Sequence, residues 1–187
     1  MLPGEPGAVD VLRDAFAAGL RGVKLHCHVQ CFAADAPELN EIYETCVAFD
    51  RPLVMHAGRE PASKAYKCDV YALCGVDRIE RVLTAHPKLK LCVPHLGADE
   101  FDGYARLLES HDNLWLDTTM IAADYFPLKV PRRLFEVRPD RILYGTDFPN
   151  IPYAWDRELK QLLKMKFRDD VEAGIVGGNA LRLYGAR

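Results

Sequence analysis

The sequence predicts an α/β fold built on a parallel sheet, and three observations carry that expectation. Five short apolar runs rich in Val, Ile and Leu recur along the chain: GVKLH, RPLVMHAG, LKLCVPHLG, NLWLDTT and RILYGTDFPN. Each has the length of a strand, and longer segments with helical spacing separate them, which is the alternation of βαβ units. Each run also ends in a group that can hold a metal or move a proton: His26, His56, His95, Asp117 and Asp147. Polar residues at the C-terminal ends of successive parallel strands share one face, where α/β barrels and open α/β sheets place their chemistry. The candidate site is therefore His56, His95 and Asp147, with His26 or His28 and Asp117 beside them.

Composition narrows the function classes. A chain of 187 residues with 49% hydrophobic content fills one core, so a single domain over 1–187 is expected. A formal net charge of -3 and a pI near 6.1, with no basic stripe, argue against a nucleic-acid partner. No run approaches the roughly 18 apolar residues of a membrane span. The N-terminal MLPGEPGAVDVLRDAF has neither a basic n-region nor an apolar h-region, so a cytoplasmic location is expected. Six cysteines, at 27, 31, 46, 68, 74 and 92, form no CxxC pair. Reduced thiols are the expectation, with Cys46 in a helix and Cys92 in a strand acting as small hydrophobes.

In chain order, AVDVLRDAFAAGLRG has apolar residues at helical spacing and predicts a helix ending near Gly19. The strand GVKLH follows, and in VKLHCHVQCF alternation would put Lys24, His26 and His28 on one side of an extended chain. Two readings of that H-x-H stand open: both imidazoles on one metal ion, or a polar strand end followed by a loop histidine. APELNEIYETCVAFDRP predicts a helix with Pro37 in its first turn and Leu39, Ile42, Tyr43 and Cys46 on its buried face.

PLVMHAG then ends in His56 followed by Ala57 and Gly58, small residues that let backbone or ligand approach. A histidine directly after four apolar strand residues reads as a metal ligand. The loop from Arg59 to about Val70 is longer than a minimal βα turn, and Arg59, Lys64 and Lys67 are either contacts to an anionic substrate or a solvated surface. VDRIERVLTAHP is a helix stopped at Pro87, with His86 in its last turn.

KLKLCVPHLGADEF repeats the His56 pattern at His95, with Asp99 positioned to cap the following helix. NLWLDTTM is a strand whose Asp117 and Thr118 are either partners of the site or a turn-forming pair. Three prolines break IAADYFPLKVPRRLFEVRP into short helical pieces. In RILYGTDFPN, Gly145 allows a tight strand exit, Pro149 ends the strand, and Asp147 sits in the mouth of the site. WDRELKQLLKM and NALRLYG read as amphipathic helices, the second with Asn179 as its N-cap. Arg59, Tyr66 and Trp155 are candidate pocket residues by position, as is His26.

Taken in order and at these intervals, GVKLH, LVMHAG, PHLG, NLWLDTT, RILYGTDFP and NALRLYG closely resemble the C-terminal two-thirds of the amidohydrolase-related metal-dependent hydrolases. That group includes the aminocarboxymuconate-semialdehyde decarboxylase-like enzymes of the amidohydrolase superfamily. The resemblance implies a distorted (β/α)₈ barrel in which the five strands here correspond to strands four to eight. It implies that His56 binds metal, that His95 binds metal or acts as acid/base, and that Asp147 binds metal and activates water. Lys24 lies where some superfamily members carry a carboxylated lysine, a role not carried over.

The family's own H-x-H ends its first strand, and HCH at 26–28 occupies the position of strand four instead. A complete barrel takes about 250 residues, so a partial barrel is expected.

The expected activity is hydrolysis, in which water activated by a divalent ion, zinc first, attacks a carbonyl-type carbon of a small molecule. Asp147 would take the water proton and His95 would handle developing charge. Decarboxylation or hydration of an unsaturated carboxylic acid is the alternative, using the same residues. A shortened, non-catalytic barrel that serves as an assembly partner is the alternative from another class. A zinc module around HCHVQC crowds its ligands too closely for an ordinary four-ligand site. An open parallel sheet has an exposed edge, which makes a homo-oligomer the expected protein partner.

Overall fold

A computed structural model describes residues 3–59 and 65–185. Five parallel strands form one sheet in sequential order: β1 (Val23–His26), β2 (Leu53–His56), β3 (Leu91–Val93), β4 (Leu114–Asp117) and β5 (Ile142–Leu143). Each predicted apolar run supplies one of them. Strands that follow one another in sequence and pair side by side in parallel form the arc of an α/β barrel.

The register fixes what each face carries. Val23 pairs with Leu53, His26 with His56, Leu53 with Leu91, Cys92 with Trp115 and Asp117 with Leu143. Because side chains alternate, one face holds Leu25, Leu53, Met55, Leu91, Val93, Leu114, Leu116 and Ile142, all within the main hydrophobic core. The opposite face carries Val54, Cys92, Trp115 and Leu143, which form a second cluster with Leu183. His26, His56 and Asp117 have the same parity as this second set, so they project from the inner face of the arc, above its small apolar floor.

Helices cover the outer face. In Ala8–Ala17 the buried residues are Ala8, Leu12 and Phe16, and in Val76–Ala85 they are Ile79, Val82 and Leu83. Helix Asn40–Ala48 follows a 3₁₀ turn over Pro37–Leu39, and Leu39, Ile42, Tyr43 and Cys46 are buried as the spacing requires. Phe101–Ser110 buries Tyr104, Leu107 and Leu108. Burying a side chain of this size contributes roughly 1.5–3 kcal/mol, so these four stripes hold the arc together. The proline-broken stretch yields one short helix, Arg133–Val137, after a run of turns. Among the described residues no helix is long and apolar enough to cross a membrane.

Two capping expectations are corrected. Asp99 does not cap helix Phe101–Ser110, because its carboxylate accepts from Arg59 Nε at 2.9 Å and Glu100 occupies the cap position. Asn179 is not an N-cap either, because the chain is already helical from Asp169 through a π turn at Gly174–Gly178 into Asn179–Tyr184. The fully buried Asn179 instead donates through Nδ2 to the carbonyls of Ile142 (2.6 Å) and Pro139 (2.8 Å). Arg21 in turn donates to the carbonyls of Tyr184 (3.0 Å) and Gly185 (2.9 Å). The last helix therefore runs from the start of β5 to the approach of β1 and spans the arc at its N-terminal end.

Candidate metal centre

The site is built where β1 and β2 end together. His26 and His56 are the last residues of adjacent parallel strands and are directly paired, so their side chains leave the same face side by side. Their imidazoles stack, with centroids 3.9 Å apart and planes 11° from parallel. His28 arrives by a different route from the alternation the sequence suggested. The chain leaves β1 into a single helical turn, Cys27–Gln30, with the Gln30 side chain accepting from the His26 amide at 2.8 Å. That turn swings the buried His28 ring edge-on to His56, at 4.5 Å between centroids. His28 Nε2 donates to the Gly58 carbonyl at 2.9 Å.

One nitrogen from each of His26, His28 and His56 lies within 4.8 Å of the others, so the three form a group able to hold a metal ion. His26 and His28 therefore converge, with His56 as the third member.

The hydrogen-bond chain assigns the tautomers. His95 Nδ1 lies 2.9 Å from the Thr119 carbonyl and can only donate to it. His95 Nε2 is then an acceptor, and it receives His56 Nδ1–H at 3.1 Å. His56 Nε2 is left with a lone pair, buried and without a partner among the described residues. A neutral imidazole oriented by a hydrogen bond at its far nitrogen is the form that binds a metal. Burial, reinforced by the neighbouring histidines, holds His56 far below the ordinary histidine range. Burial and then His28 and Lys24 lower His26 to about 4, and burial also lowers His95. His26, His56 and His95 are therefore neutral near pH 7, so the first two can bind a divalent cation without first losing protons.

His95 is held by its own loop. Its backbone is left-handed (φ 58°), and Asp117 Oδ1 accepts from the amides of His95 (3.3 Å) and Thr119 (3.0 Å). Asp117 is therefore both turn former and site partner. Gly58 lets the two histidine loops meet: its φ is 103°, and a Cβ there would lie 2.6 Å from the Ala98 carbonyl oxygen.

Of the residues expected to hold the metal, only His56 belongs to the trio. Both ring nitrogens of His95 are engaged, Nδ1 with the Thr119 carbonyl and Nε2 with His56, and His95 lies outside the ligating group found among the described residues. Asp147, also left-handed at φ 65°, stands across the inner face with its carboxylate 3.9 Å from Lys24 Nζ, and it is absent from the ligating group found among the described residues. Of the pocket candidates, Tyr66 packs edge-on to His28 at 4.9 Å. Arg59 is tied to Asp99 and lies 3.7 Å from Glu100, and Trp155 is 61% exposed. Lys64 lies outside the described residues.

One group escaped the sequence reading. Glu158, in the first turn of helix Arg157–Lys164, is fully buried, and neither carboxylate oxygen has a partner among the described residues. Burial, with the charges of Asp117 and Asp147, pushes it up to about 8. In sequence it is one more acidic residue at a helix start, and only the fold turns it inward.

The amidohydrolase family profile matches residues 1–186. The chain belongs to the amidohydrolase family. No curated protein matches it significantly. Among solved structures this family member is similar to an uncharacterised TIM-barrel protein from Bordetella bronchiseptica, with a TM-score of 0.79, 22% identity and 94% of the chain covered. It is also similar to the 5-carboxyvanillate decarboxylase of Novosphingobium aromaticivorans complexed with manganese and 4-hydroxy-3-methoxy-5-nitrobenzoic acid (TM-score 0.70, 17% identity, 100% covered). A third is the dihydroorotase of Campylobacter jejuni (TM-score 0.67, 14% identity, 96% covered). The chain spans 61%, 63% and 62% of these three proteins, in that order, so the amidohydrolase fold present here is a partial barrel.

Proposed function

We propose that this chain carries a metal-dependent hydrolytic site acting on a small molecule with a carbonyl-type carbon. The observation that carries the reading is the buried, partnerless Nε2 of His56 within the trio of converging imidazoles. His26, His28 and His56 would hold the ion, which when bound lowers the pKa of water and polarises a substrate oxygen. His95 fixes the tautomer of His56 through the Nε2 to Nδ1 hydrogen bond and is itself fixed by Thr119 and Asp117. Asp147 is the half-buried carboxylate of the mouth, 3.9 Å from the Lys24 ammonium, and in this reading it takes the proton from attacking water. Zinc is the ion we assign first.

Glu158 favours a second reading. A buried carboxyl pushed up to about 8 keeps its proton near pH 7, and a proton donor is what replacement of a carboxylate by hydrogen on a carbon requires. Decarboxylation of an unsaturated or aromatic acid is therefore the alternative.

Elemental analysis of the untagged chain after gel filtration tests the site directly. About one divalent ion per chain, lost in His56→Ala, is expected. No metal above background after reconstitution overturns the proposal. With metal bound, a screen of amide, lactone and carboxylic-acid substrates separates hydrolysis from decarboxylation, and inactivity toward all of them favours a non-catalytic assembly role.

A further inference from the structure

Four of the six cysteines surround the turn that carries His28, and they fall into two pairs with different access to solvent. Cys27 and Cys74 are the inner pair, and both are fully buried. Cys31 and Cys68 are the outer pair. Cys31 is exposed and Cys68 is half-buried. Both thiols address one acceptor: Cys31 Sγ lies 3.6 Å and Cys68 Sγ 3.4 Å from the His28 carbonyl oxygen.

Their backbones are anchored. The Cys31 amide closes the helical turn by donating to Cys27 O at 2.9 Å, and the residue after Cys68, Asp69, caps the next turn by accepting from the amides of Tyr71 and Ala72. Two sulfurs that share one acceptor oxygen, one of them open to solvent, are neighbours whose side chains can rotate toward each other.

We propose that Cys31 and Cys68 form a reversible disulfide on exposure to a peroxide, tethering the turn that carries His28 to the segment that precedes the Asp69 cap. The Cys31 thiolate attacks one peroxide oxygen, the O–O bond breaks, and the leaving hydroxide takes a proton to become water. The Cys68 sulfur then displaces the hydroxyl from the Cys31 sulfenic acid, its thiol proton leaving with that hydroxyl as a second water. Two thiols are oxidised and one peroxide is reduced. Cys27 and Cys74 flank the same turn but are shielded from a solvent-borne oxidant, so they serve as an internal control. The inference is independent of the proposed catalytic activity.

The test is to treat the reduced, metal-free 187-residue chain with hydrogen peroxide under native conditions and map its disulfides by mass spectrometry without reduction. The expected result is loss of two hydrogen masses, a cross-linked peptide joining Cys31 to Cys68, and reversal by dithiothreitol. Oxidation should also shift the urea midpoint upward, and Cys31→Ser, altering an exposed side chain, should abolish both the cross-link and the shift. Cross-linking between any other cysteines, or Cys31 sulfinic acid with Cys68 still a free thiol, overturns the proposal. If Cys68→Ser fails to fold, the Cys31→Ser comparison still decides.

Discussion

Two buried groups at the inner face dominate the chemistry of single residues, and they pull stability in opposite directions with pH. Glu158 is raised in the folded chain from an ordinary 4.5 to about 8. Between these values the folded state binds a proton that the unfolded state does not, so its contribution to stability falls as pH rises from about 4.5 to 8 and is then constant. Each unit of displaced pKa corresponds to about 1.4 kcal/mol. Glu158→Gln is expected to remove that slope and to be more stable than the parent at pH 9 by at least about 1 kcal/mol, read from urea midpoints; an unchanged slope would show that Glu158 is solvated. The histidines have the reverse sign. Their folded pKa values are lowered, so below about 6.5 the unfolded chain takes up protons that the folded one refuses, and stability falls with falling pH. Metal-free protein should lose stability between pH 6.5 and 5, and bound zinc should deepen that loss because protons compete for the same nitrogens. His95 acts through His56: His95→Ala is expected to weaken metal binding about 10- to 100-fold, measured by competition with a chelating dye. Affinity unchanged in that variant would remove His95 from the site.

At the scale of elements, periodicity was enough for the sheet and its outer helices. All five strands coincide with the apolar runs, and Leu39, Ile42, Tyr43 and Cys46 are buried on one helix face as their spacing requires. What the sequence left illegible depends on contacts between distant segments. Nothing local shows that the chain turns helical directly after His26, and that turn is what brings His28 to His56. Nothing in NALRLYG shows that the segment before it is already helical, which frees the Asn179 side chain to bind β5. Asp99 looks like a cap until Arg59, 40 residues earlier, takes its carboxylate. Asn179 also yields an element-scale prediction. Replacing it with Ala takes the Nδ2 donor from the buried Ile142 carbonyl, while Pro139 O keeps the Ile142 amide, a loss of roughly 1–3 kcal/mol. The C-terminal helix should detach first, visible as faster amide exchange over Asn179–Tyr184 than over β2 and β3. Uniform exchange across the chain would mean that the helix is held by its apolar contacts alone.

For the whole molecule, the arc has two edges and a strongly coloured inner face. β1 and β5 each pair on one side only, and a parallel sheet with free edges is a template for further pairing. The terminal helix spans the arc at its N-terminal end through Asn179 and Arg21 and bonds the backbone at β5, and the Lys24–Asp147 pair reaches across near the C-terminal end, but neither adds a strand to the open edges. Beside β1 the surface carries exposed Leu20 and Val29, and the last helix exposes Val176 and Leu181. Apolar groups next to an unpaired edge favour association of like chains, and closed symmetric pairs are the commonest outcome. Sedimentation velocity across a concentration series is therefore expected to show a dimer in exchange with the 21.1 kDa monomer. Lysine at Leu181 should shift the equilibrium toward monomer by placing a charge in the contact, without touching the imidazole trio. If dimerisation also completes the metal site, metal stoichiometry per chain will fall along with the dimer in that variant. A variant that turns monomeric yet keeps its metal would assign the centre to a single arc, and a parent chain that sediments as monomer throughout would mean that its own helix is sufficient cover for the open sheet.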